Sequence, residues 1–116
     1  LANLLYATNR LSEAEPLYRR ALSIDETSYG PNHPEVAIRL NNLALLLSAT
    51  NRLSEAEPLS RRMVEIFIEF TRDTGHEHPH FERFLGSYRS ILGSLGLDTA
   101  ATESRLRSLQ KPLNPE

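Results

Sequence analysis

Apolar residues recur along this chain at i, i+3, i+4 and i+7, the spacing that lays one stripe down an α-helix. Val36, Leu40, Leu43, Ala44 and Leu47 form one stripe. Ala14, Leu17, Tyr18, Ala21 and Ile24 form another, and Ala56, Leu59, Met63, Ile66 and Phe70 a third. Phe81, Phe84, Leu85, Tyr88, Ile91, Leu92 and Leu95 make a fourth. A sparser set, Ala101, Leu106 and Leu109, predicts a last helix over about residues 98–110. No strand-type alternation competes, so the pattern predicts an all-α chain.

The pattern is also periodic. ATNRLSEAEPL at residues 7–17 returns unchanged at 49–59, an offset of 42. The match extends back to LANLL (1–5) against LALLL (43–47), and forward to LYRRALSI (17–24) against LSRRMVEI (59–66). Repetition at such a period is the mark of stacked helical pairs. Within the repeated block, Ser12 and Ser54 read as N-caps. Glu15 and Glu57, three residues on, complete the capping-box spacing. Leu11 and Leu53 would staple onto the fourth helical residue, Pro16 or Pro58. A proline there loses only the first bond of the ladder. Glu15 with Arg19, and Glu57 with Arg61, are spaced as i, i+4 ion pairs. Both copies are therefore expected to make the same turn and to set the same angle between paired helices. Pro34 and Pro79, each after a histidine, are expected at the first position of a helix.

Past Ile66 the repeat decays. GHEHP (75–79) matches GPNHP (30–34) at an offset of 45, so three residues are inserted. They are expected to lengthen the preceding helix by about a turn. The chain thus divides into one array over residues 1–110 and a tail, 111–116. Within the array lie a partial first unit (1–29), a second (34–74) and a degenerate third (78–110). Tyr18 of the first unit is replaced by Ser60 in the second, and Phe84 or Tyr88 is expected to fill the space. Leu1 already lies inside the apolar pattern, so the sequence reads as a piece of a longer protein.

HPEVAIRLNNLALLLSATNRLSEAEPLSRR resembles a tetratricopeptide repeat of the 42-residue kind found in kinesin light chains and in many bacterial proteins. The likeness rests on HP before the first helix, NNLA (41–44), EAEPL, and RRAL after it. YGPNHP (29–34) resembles that family's loop between repeats. The resemblance implies a solenoid of antiparallel helix pairs, a right-handed superhelix of about two and a half to three repeats. It also implies a concave groove, lined by the first helix of each unit, that binds a peptide or protein segment. Helical phase places Ile38, Asn41, Asn42 and Leu45 on the face opposite the apolar stripe of residues 35–50. By the same register Asn3 and Tyr6 join them from the first unit, and Arg83, Ser87 and Ser90 from the third. Asparagine offers a donor and an acceptor together, which suits a peptide backbone. Some chaperone-binding members grip a carboxylate there. Asn3, Asn42 and Arg83 match that pattern, but Ser87 stands where a basic residue is usual.

Composition narrows the alternatives. The formal net charge is −2, with no basic patch for nucleic acid or for a membrane surface. There is no cysteine, which removes disulfides, thiolate metal sites and a cysteine nucleophile. No apolar run reaches the length of a membrane span. No phosphate loop, GxSxG or HExxH is present, so no enzyme and no cofactor are expected. His76, His78 and His80 alternate as metal ligands could. Since His78 matches the ordinary loop residue His33, no native metal is expected. The expectation is a cytoplasmic scaffold for a protein or peptide partner. Self-association through exposed solenoid ends, or regulation of an enzyme or ATPase elsewhere in the parent chain, are the alternatives.

Overall fold

The computed structural model describes residues 2–110, with side chains from Arg10 onward. Among the described residues there are helices and no strands. The helices are α1 (Ala2–Tyr29), α2 (Pro34–Ala49), α3 (Leu53–Thr74), α4 (Phe81–Ser94) and α5 (Thr99–Gln110). Each packs on its neighbour in sequence, and α4 also touches α2. Short connections force such neighbours to run antiparallel.

The core lies where α2, α3 and α4 meet. Val36, Leu40, Leu43 and Leu47 of α2 are buried against Ala56, Met63, Val64 and Phe67 of α3. Phe67 is the hub towards the third unit, with its ring 5.4 Å from Phe84 and 6.0 Å from Phe81. Full burial of such a side chain contributes about 1.5–3 kcal/mol. The α4 stripe follows the expected spacing through Leu92, whereas Leu95 at its end is exposed.

The start of α2 forms as its sequence predicts. Pro34 opens the helix, and the Nδ1 of His33 accepts a hydrogen bond from the Glu35 amide at 3.0 Å. The start of α4 does not. Pro79 lies in a turn closed by the Phe81 amide on the His78 carbonyl, and the helix begins two residues later. The ring of His78 packs 4.8 Å from Phe67 and holds the segment back. The insertion behaves as expected. α1 ends at Tyr29, which corresponds to Thr71, while α3 runs three residues further to Thr74. Gly75 then stops it in the left-handed conformation, φ 75°.

The two copies of the eleven-residue block adopt different structures. In the second copy, Asn51 takes φ 62° and ends α2, and the Arg52 amide closes back on the Leu47 carbonyl at 2.8 Å. Asparagine tolerates this left-handed position better than most residues. α3 begins at Leu53 with Arg52 as its cap, which makes no side-chain cap bond. Ser54 is therefore not the N-cap, and Glu57 completes no capping box. Pro58 comes sixth in the helix, so it removes a ladder bond to the Ser54 carbonyl, two residues further in than expected.

In the first copy there is no turn. α1 runs unbroken through ATNRLSEAEPL, with Ser12 and Pro16 inside it. The expectation of two identical turns is overturned, and the reason is tertiary. In the second unit the stripe of α3 is covered by α2, and Ile66 is 2% exposed. The matching face of α1 is open, with Ile24 56% and Leu17 64% exposed. Leu17 and Ile24, expected in the core, are surface residues here.

Candidate functional site

Between α1 and α2 the backbone leaves a cleft of about 240 Å³, lined by Leu11, Tyr18, Asn42, Leu45, Leu46 and Ala49. A second hollow of about 220 Å³ continues it along the same helices, between Tyr18, Ala21, Arg39 and Asn42. Tyr18 and Asn42 belong to both. The floor is apolar, and Leu45 is 44% exposed on a helix whose other leucines are buried. An exposed apolar residue beside a polar one that can donate and accept suits a peptide segment.

The predicted groove residues separate. Asn42 and Leu45 share the cleft. Asn41 is 4% exposed, packed inside the helices rather than presented, and its Oδ1 has no hydrogen-bond partner among the described residues. Ile38 is half-buried and packs on the core. Arg83 and Ser90 are exposed on α4, with the Arg83 guanidinium 5.2 Å from the Phe84 ring; Ser87 is half-buried. None of these three lines the α1–α2 cleft. The side chains of Asn3 and Tyr6 lie outside the described residues.

Sequence reasoning gave Glu15 and Glu57 a role at helix starts. The structure gives them another. Glu15 of α1 accepts from Arg52, which opens α3, and from Arg19 at 3.0 Å. Arg52 also forms a two-pronged pair with Glu55, at 2.7 and 2.8 Å. The hydrogen bond from Arg52, then that from Arg19, holds the Glu15 carboxyl below its usual range. Glu57 repeats the arrangement one unit on. It accepts from the Tyr88 hydroxyl at 2.8 Å and lies 3.4 Å from Arg105 of α5. Arg61, its expected partner, stands 4.0 Å away. Burial first, and then the Glu57 carboxylate, pushes the Tyr88 hydroxyl up to about 12. Tyr88 is thus the ring that reaches α3 one turn before Ser60, while Phe84 packs on Phe67. The repeated glutamates therefore tie each unit to the next.

The histidines do not converge. The His78 ring sits 5.4 Å from His80 and 5.4 Å from Phe70, and its Nδ1 accepts from the His80 amide at 3.2 Å. Burial holds the His78 imidazole below its usual value. Among the described residues no cluster of three His, Asp or Glu side chains could hold a metal ion. No described helix is long and apolar enough to cross a membrane.

A family model described as Tetratricopeptide repeat matches residues 1–69, more than half of the chain. The chain belongs to the tetratricopeptide repeat family. No curated protein matches it. Tetratricopeptide repeats mediate protein–protein interaction, and the match ends at Glu69, just before the three-residue insertion. The helices beyond it continue the same stacking without the motif. The cleft therefore falls wholly inside the recognised repeats, whereas Arg83, Ser87 and Ser90 lie outside them.

Proposed function

We propose that this tetratricopeptide repeat chain is a non-catalytic, cytoplasmic scaffold, of the kinesin-light-chain-like kind, that seats a partner segment on the α1–α2 side of its groove. Asn42 is read as the residue that pairs with the partner's backbone, and Leu45 as the apolar contact. Arg83, Ser87 and Ser90 on α4 would meet the segment further along. The observation that carries this reading is the exposure of Leu45 beside Asn42 above an apolar floor. An isolated leucine on a surface needs no explanation, but one set in a cleft next to a free amide does.

The test is capture of partners by the complete parent protein, comparing wild type with the double substitution Asn42→Ala and Leu45→Asp. Truncating a central anchor in an interface commonly costs about 2 kcal/mol or more, a thirtyfold loss of affinity. The double variant is expected to lose most of the captured partner. Ser104→Ala, on an exposed face of α5, is expected to lose none. Equal capture by all three proteins overturns the reading.

A further inference from the structure

We propose that the hollow where α1 and α3 end is a second binding site, which takes an arginine side chain of a partner segment. It shares no residue with the α1–α2 cleft and goes beyond the scaffold reading, so either can fail alone.

The walls come from two units. The end of α1 and the loop after it supply Tyr29 and His33, and the last turns of α3 supply Glu69, Phe70, Asp73 and Thr74, around about 400 Å³. Tyr29 is exposed and its ring stacks on His33 at 4.6 Å, which gives the hollow a flat aromatic wall. Phe70 adds a third ring, half-buried. Glu69 and Asp73, four residues apart, share one face of α3. Among the described residues neither carboxylate has an ion pair or a hydrogen bond. Arg62, which reaches this loop, is taken up by Glu26 at 2.7 Å and by the Pro31 carbonyl at 3.0 Å. Arg72 lines a different hollow. Two helix C-termini also meet here, and each adds partial negative charge from its last carbonyls. The last turn of α1 carries no basic residue to offset it. Negative charge beside an aromatic wall selects a cation. A planar guanidinium forks onto a carboxylate and stacks on a ring at once, whereas the compact ammonium of lysine is a point charge. The three-residue insertion makes the site. It carries α3 past the point where α1 stops, and so brings Asp73 and Thr74 to the loop.

The test is an NMR titration of the full, isotope-labelled chain with blocked Gly-Arg-Gly. Its citrulline counterpart, equal in shape but uncharged, and the lysine tripeptide are the comparisons. The arginine peptide is expected to move amides within residues 29–33 and 69–74 to saturation. Citrulline is expected to bind about tenfold more weakly or worse, and lysine more weakly than arginine. Glu69→Gln combined with Asp73→Asn is expected to weaken the arginine peptide by about tenfold or more. Both side chains are exposed, and an unchanged amide pattern in α2 checks that the variant is folded. Tyr29→Phe is expected to keep the affinity and Tyr29→Ala to lower it. Shifts at these residues that do not saturate overturn the proposal. Equal binding of arginine and citrulline, or of arginine and lysine, does so too, as does full affinity in the doubly neutralised variant. The same shifts on raising the protein concentration without peptide also overturn it, because a second copy would then be the occupant.

Discussion

Tyr88 illustrates how one buried hydroxyl is held. Its ring fills the α3–α4 interface, and its hydroxyl donates to Glu57 at 2.8 Å. Because the folded-state value is raised to about 12 from an ordinary 10, neutral Tyr88 favours the folded state. That stability is complete below about pH 10 and is lost as pH rises towards 12. Tyr88→Phe should therefore unfold less steeply than wild type between those limits, at a neutral-pH cost of about 0.5–1.5 kcal/mol for the missing hydrogen bond. Urea titrations at pH 7 and pH 10.5 check both parts. His78 works in the other direction. Its folded-state value is depressed by burial, so its contribution is present above about pH 6.5 and fades as pH falls below. His78→Phe should flatten the stability profile between pH 7 and pH 5, read by the same titrations.

At the scale of the element, conformation depends on what covers it. The helical stripes and the insertion in α3 were legible because apolar spacing reports them directly. So was the last helix, where Asp98 caps Ala101 at 2.8 Å. The turn was misplaced. The capping-box spacing pointed to Ser54, but the left-handed Asn51 ends α2 three residues earlier. Asparagine three places before the expected start was the available signal. Asn51→Val should destabilise by about 1–2 kcal/mol, and Asn51→Gly by much less, in thermal or urea denaturation. The continuous α1 could not be read locally at all, since its sequence there is identical to that of the turn. Among the described residues, the two copies differ in what packs on the helix that follows: Ile66 is buried, whereas Ile24 is exposed. The cleft was half legible. Helical phase found Asn42 and Leu45, but also put Asn41 outside, whereas it is buried. Leu11 and Tyr18 come from the neighbouring unit, which periodicity alone does not place.

The whole molecule measures 56 × 37 × 21 Å, so its thinnest dimension is about two helices deep. Such a slab has no common centre, and each unit is stabilised by its immediate neighbours. Stability should then be graded along the chain. α2 and α3 hold most of the fully buried side chains, whereas α5 buries only Thr102 and Leu106. Among α3, α4 and α5, amide hydrogen exchange should be fastest in α5, intermediate in α4, and slowest in the middle of α3 around Met63–Phe67. A uniform rate across all helices would contradict this grading.

The tie between Glu15 and Arg52 has a consequence for how such chains grow. Acceptor and donor both occur within the same eleven-residue block, Glu15 in one copy and Arg52 in the next. A tandem duplication of this stretch therefore carries both halves of the new joint with it. No second mutation is needed to make the added unit fit its neighbour. Where the block is missing, after the second copy, Glu57 is met by Arg105 from a different helix. The end of the series is thus written by a substitute partner, and extending the array from that side would require displacing it.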